Sequence, residues 1–258
     1  MSWTRTLILW LVVAGLFVAL LWVPGGLSGD SALRWAPLLF VVVFVFVLAF
    51  FVVKARRGLA ENNRASVLLA EGRVLESLAL FEAAGKSLRN PLPLVNVARC
   101  QLLLWRVHDA AATLDAFDAR MKRPLNGFPQ GERVGAQLGV LVHALLGNTA
   151  GTERTLALAA ETTTGRLASA VIAARAGDFA AAEKLLEQHA VVLDQLGGSL
   201  RAFAEVLAAY VASKTGGRAR EVPILRMFRE SSPDQLKAVW PELHAFLVRA
   251  QQGPELPR

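Results

Sequence analysis

The chain has 258 residues, 28 basic against 21 acidic, and one cysteine. A single cysteine excludes an intramolecular disulfide framework and a cysteine-cluster metal site. The surplus of +7 comes without a basic stripe interleaved with aromatics, which argues against nucleic-acid binding.

Two charge-free apolar runs open the chain, LILWLVVAGLFVALLWV over 7–23 and WAPLLFVVVFVFVLAFFVV over 35–53. As helices they reach about 26 and 28 Å, close to the hydrocarbon thickness of about 30 Å. We therefore expect two transmembrane helices, over about 6–24 and 35–53. The first run is longer than the apolar region of a signal peptide. It ends in Pro24-Gly25-Gly26 without a small-x-small cleavage site, so an uncleaved span is expected.

The eleven-residue connector from Pro24 to Arg34 suits a tight helical hairpin, with Trp3, Trp10, Trp22 and Trp35 near the span ends. Lys54, Arg56, Arg57 and Arg64 follow the second span, and Arg5 precedes the first. The positive-inside rule then puts both termini in the cytoplasm; the membrane is expected to be a bacterial inner membrane. Neither span carries an ionisable residue, as suits an anchor rather than an ion or proton path. The anchor is assigned to residues 1–57.

Behind it, residues 54–258 hold 26 basic and 20 acidic residues. They are rich in Ala, Leu, Arg and Glu, with apolar residues every three or four positions, so the body is expected to be all-α. Breaks fall at Asn90–Pro93, at 123–131, and at Gly147, Gly165, Gly177, Gly197-Gly198, Gly216-Gly217 and Pro233.

Several breaks share a signature. Gly177 is followed by Ala182 and Leu186 (AARAGDFAAAEKLLEQHA), Gly72 by Ser77 and Phe81 (LLAEGRVLESLALFEAA), and Gly147 by Thr152 and Leu156. These fragments resemble tetratricopeptide repeats. In that family a Gly turns the chain between two antiparallel helices, a small residue five positions on permits close packing, and a large apolar one follows four later. RVHDAAATLDAF (106–117) looks like a copy without the Gly. Turns near 72, 106, 147 and 177 are 34, 41 and 30 residues apart, around the family's period of about 34. The resemblance implies an α-solenoid of helix pairs over 58–198, with capping helices over 199–251 (200–214, 222–231 and 234–251) and a disordered tail over 252–258. An ordinary helical bundle is the alternative. The two-span-plus-repeat layout is also similar to that of inner-membrane tetratricopeptide proteins.

Motifs for chemistry are scarce. Ala84-Gly85-Lys86-Ser87 matches the end of a P-loop, but Leu80 stands where the opening Gly is needed, so a helix-terminal Gly and a solvated Lys are expected. His108, His143, His189 and His244 form no metal-ligand pair at helical spacing. Thr162–Thr164 more naturally cap a helix than supply a nucleophile. Cys100, within the apolar VARCQLLLW, reads as a buried small hydrophobe. No catalytic residue, cofactor, metal or small-molecule substrate is indicated.

Binding remains. The repeat resemblance puts Asn62, Ser66, Asn96, Cys100, Gln137 and Arg175 on the inner face, a partner groove for a helix or extended segment. Arg218, Arg220, Arg226 and Arg229 form a basic patch that is either a solvated helix face or a contact for anionic lipid. The expected function is a membrane-anchored, non-catalytic scaffold or assembly factor for membrane-associated proteins. The alternatives are a regulator responsive to anionic lipid and, more remotely, a helical enzyme using Cys100 or a histidine.

Overall fold

The structure, a computed structural model, describes residues 15, 31–88, 90–123, 130–193, 198–216 and 232–252, without the side chains of 31–40, 198–199 and 252. The described residues are helical, with no strand among them. The first expected span (apart from Gly15), the basic patch 218–229, the expected helix 222–231 and most of the tail lie outside them.

The chain divides into two compact units, Met1–Arg57 and Gly58–Arg258, and helix α1 (Ser31–Ala70) contains the division. Over residues 41–53 α1 is apolar on all sides: Val42, Val43, Val45, Phe46, Phe50 and Val53 are each more than half exposed. A helix of this kind is stable only where something other than water covers it. Among the described residues no helix is long and apolar enough to cross a membrane. The apolar run whose side chains are described covers residues 41–53.

The second unit is built from helical hairpins. The end of α1 turns into α2 (Val74–Ser87). Helix α3 (Leu92–Leu103) turns into α4 (Val107–Met121), α5 (Gly131–Leu146) into α6 (Thr149–Ala159), and α7 (Thr163–Arg175) into α8 (Phe179–Gln188). All four turns close in the same way. A residue with positive φ donates its N–H to the carbonyl three residues back, and the next residue donates to the carbonyl five back: Gly72 and Arg73 to Leu69 and Leu68, Gly147 and Asn148 to Ala144 and His143, Gly177 and Asp178 to Ala174 and Ala173. This is the Schellman closure, which satisfies carbonyls the helix end leaves free.

The second hairpin was expected to turn near 106. It turns at Trp105, whose N–H bonds to Leu102 while Arg106 bonds to Gln101. Trp105 has φ 59° and is the one described non-glycine residue in the left-handed region. That conformation costs an L-residue about 1–2 kcal/mol. The indole is fully buried and lies 5.4 Å from the Phe203 ring, and burial of such a side chain offsets the strain.

Counted from each turn residue, the fifth position is small or hydroxylic and buried: Ser77, Ala110, Thr152 and Ala182. The ninth is a larger apolar residue, with Phe81, Leu114 and Leu186 buried and Leu156 half-buried. A short side chain at the fifth position lets the two helices approach. At Ser77 the approach brings Oγ to 2.7 Å from the Ala65 carbonyl across the hairpin. Hairpins then stack. The second helix of one packs on the first of the next (α2 on α3, α4 on α5), and first helices pack on one another (α3 on α5, α5 on α7).

Helix starts follow local chemistry. Asn148, Thr162 and Asp178 each accept a hydrogen bond from the backbone N–H three residues on, at 3.0, 3.1 and 3.0 Å. Such caps contribute about 1 kcal/mol apiece. Gly85 falls in the last turn of α2 with Lys86 exposed, so the Gly-Lys-Ser motif is no phosphate loop.

After the short α9 (Ala190–Leu193), α10 (Gly198–Thr215) packs on α7 and α8. The expected single helix 234–251 is broken. A 3-10 turn (Pro233–Gln235) and α11 (Leu236–Val239) end at Trp240, with φ −147° and ψ 76°, before α12 (Pro241–Gln252) begins. Proline drives the residue before it out of helical geometry, which is the physical reason for the break. Trp240 is buried edge-on against Tyr210, at 5.6 Å between ring centres, and so closes the terminal core.

Candidate functional site

Three helices converge on one cavity, which Leu200 of α10 also borders. Val95 and Arg99 are four residues apart on α3 and therefore share a face, as do Val134, Gln137 and Leu138 on α5. The start of α7, with Thr162–Thr164 and the preceding Glu161, forms the third wall. The space is about 350 Å³. That is the low end of the range of about 300–1,000 Å³ typical of ligand pockets.

Arg99 is the unusual member. Its Nε is fully buried and has no hydrogen-bond partner. Burial lowers its pKa, and no carboxylate is among the groups that act on it. On the facing wall the Thr162 hydroxyl caps Gly165 and lies 3.0 Å from the Thr164 hydroxyl. The N–H groups of Thr163 and Thr164, in the first turn of α7, have no acceptor within the helix. Glu161, at the rim, has a side chain 97% exposed and stands 3.8 Å from Arg166.

Of the residues expected in a groove, Gln137 lines this cavity. Asn96 is half-buried, three residues before Arg99 on α3. Asn62 and Ser66 lie on α1, where the Ser66 hydroxyl donates back to the Asn62 carbonyl at 3.0 Å. Arg175 has a different engagement. Its guanidinium donates to the Leu145 carbonyl at 2.8 Å and the Val239 carbonyl at 2.7 Å, and it lies over Trp240 at 5.7 Å. It ties the end of α5 to the C-terminal cap.

Cys100 is fully buried with Sγ 3.7 Å from the Ser77 hydroxyl, and burial pushes its thiol up to about 11. A thiol so far from ionising is a poor nucleophile at neutral pH. His143 is buried with Nδ1 3.4 Å from the Asn148 amide; burial, then Arg154, lowers its pKa. His108 is exposed and His189 half-buried, while His244 Nε2 stands 4.0 Å from Asp234. Among the described residues no cluster of three or more His, Cys, Asp or Glu could hold a metal ion.

The sequence reading missed Arg99. The signal was present: an arginine inside the apolar VARCQLLLW, one turn after Val95. Compared with protein-family models, with curated proteins and with solved structures, the chain matches none.

Proposed function

We propose that this chain is a membrane-anchored scaffold or assembly factor that holds partner proteins in a groove of tetratricopeptide-like repeats and performs no catalysis. The observation that carries the reading is the repeated hairpin: one turn geometry at residues 72, 105, 147 and 177, each followed by the same small-then-large pattern. Stacked hairpins of this kind leave the faces of their first helices available in series, and the cavity on α3, α5 and α7 opens there.

The proposed anchor is the pair of runs at 7–23 and 35–53, with both termini in the cytoplasm at a bacterial inner membrane. It is supported by the lack of charge in either run, by the basic residues after the second, and by the exposed apolar side chains of residues 41–53. A tether restricts the search for partners to a surface and raises their effective concentration, so shallow contacts suffice. Against an enzyme built on Cys100 stands the burial and raised pKa of its thiol.

The test is photo-crosslinking from Asn96 and Gln137 of the full-length protein in native membranes, read by mass spectrometry. Recurrent adducts to one set of membrane-associated proteins are expected at both positions, with none from exposed Glu82 on α2. Adducts no richer than at Glu82 would sink the scaffold reading. Release of the chain by alkaline carbonate would sink the anchor.

A further inference from the structure

We propose that His143 and Asn148 form a proton-operated latch on the third hairpin: a neutral imidazole holds the cap of α6, and a proton on its Nδ1 releases the first turn of that helix. The inference is independent of the function proposed above. It starts from one side chain with two obligations. Asn148 Oδ1 accepts from the Gly151 N–H at 3.0 Å, and this bond caps α6. With the oxygen committed to the cap, the atom on the other side of the carboxamide is its nitrogen, and Nδ2 lies 3.4 Å from His143 Nδ1. An amide nitrogen only donates. His143 Nδ1 must therefore accept, which puts the imidazole proton on Nε2 and leaves the ring neutral.

A proton on Nδ1 leaves no arrangement that satisfies all three groups. If Asn148 stays, two donors face each other. If it turns its oxygen to the imidazolium, its nitrogen meets the Gly151 N–H and the cap is lost. If it swings out to solvent, the cap is lost as well. The ring cannot simply retreat, because it is buried and already touches the backbone: a Cβ on Gly151 would fall 2.8 Å from His143 Cγ and Nδ1. Arg154 of α6 acts against the imidazolium, while Asp115 and Asp118 of α4 favour it. Helices α3 and α7 also pack on α5, and no charged group of theirs acts on the ring among the described residues. Burial first, then Arg154, hold the pKa below its ordinary value. The latch is therefore closed above about pH 6.5 and opens as pH falls through the lower folded value. It adjoins the Gly147 turn, which lies against Arg175 and its bonds to the Leu145 and Val239 carbonyls.

The experiment is hydrogen–deuterium exchange of the full-length chain in detergent, at pH values of about 7.5 and about 5, on either side of the ordinary imidazole value. Peptides covering residues 148–155 are read by mass spectrometry and corrected for the intrinsic effect of pH on exchange. In the wild type their protection should fall about fivefold in acid, the worth of one helix cap. Peptides from α7 and α8 should keep theirs. His143→Gln offers Asn148 an acceptor that takes up no proton, so its protection should not respond to acid. Asn148→Asp should reverse the sign. A carboxylate accepts from the Gly151 N–H and from the imidazolium at once, so acid should leave residues 148–155 as protected as before, or more so. Unchanged protection in α7 and α8 shows that both variants fold. A wild-type loss of protection repeated in His143→Gln or in Asn148→Asp would overturn the latch. So would a nitrogen NMR spectrum of the wild-type imidazole at the higher pH showing the proton on Nδ1, a result that depends on no variant.

Discussion

Gly147 and Gly177 occupy equivalent turns with φ 69° and 80°, but their surroundings differ. A Cβ at 177 meets nothing within 4 Å, whereas one at 147 falls 2.6 Å from the Arg175 Nε and Nη2. Gly177→Ala therefore suffers only left-handed strain, about 1.5 kcal/mol. Gly147→Ala suffers the same strain and also displaces the guanidinium from the Leu145 and Val239 carbonyls. Each hydrogen bond from a charged donor contributes about 1.5–3 kcal/mol. With one lost and the other strained, the total reaches about 4 kcal/mol. For a unit of this size Tm falls about 2–4 °C per kcal/mol, so the two variants should melt about 4–5 °C and about 12 °C below wild type.

The assay is thermal unfolding of the full-length protein in detergent by circular dichroism, completed as a double-mutant cycle with Arg175→Ala. Without the guanidinium, Gly147→Ala should cost only about 1.5 kcal/mol, a coupling of about 2.5 kcal/mol. Equal penalties for Gly147→Ala in the two backgrounds would refute the claim that Arg175 makes this turn sensitive.

Three further outcomes follow from the same structure. His143 has its folded pKa depressed by burial, so its contribution is fully present above the unfolded value of about 6.5 and is lost as pH falls through the folded value. Tm should drop between pH 7.5 and 5, by less in His143→Gln, and an identical drop in the variant would remove His143 as the cause. Cys100 should resist iodoacetamide in the native protein and react fully once unfolded; native labelling at the rate of a free thiol would contradict its burial. Gly85 and Gly165 should respond in opposite directions. A Cβ at 85 meets ordinary contacts at 3.8 and 4.0 Å inside a helix, so Gly85→Ala should add up to about 1 kcal/mol. A Cβ at 165 runs into the Ala159 carbonyl, so Gly165→Ala should lower Tm, and a neutral result there would mean that the junction of α6 and α7 yields easily.

How much of this could be read in the chain depends on where each signal resides. Gly72, Gly147 and Gly177 announce their turns because left-handed backbone favours glycine, and the residues at +5 and +9 are fixed by local helix geometry. The turn near 106 is legible only from the residues that follow it, because Trp105 stands where the other turns have Gly, its left-handed backbone offset by burial that includes packing against Phe203. The break at Trp240-Pro241 was legible in the proline, but continuous amphipathic spacing masked it. Arg99 and Arg175 show the limit most clearly. Arg99 reads as an ordinary helix arginine and Arg175 as a groove residue, and only tertiary contacts bury the Nε of the first without a partner and tie the second to two carbonyls.

The indole at the second turn also has a consequence in time. Trp105 leaves the ribosome roughly a hundred residues before Phe203, the ring it packs against. At about 5–20 residues per second, that interval is about 5–20 s. For that length of time the ring that packs on Trp105 has not been made. The core of the second hairpin is therefore completed only once α10 exists, which couples this turn to a much later part of the chain.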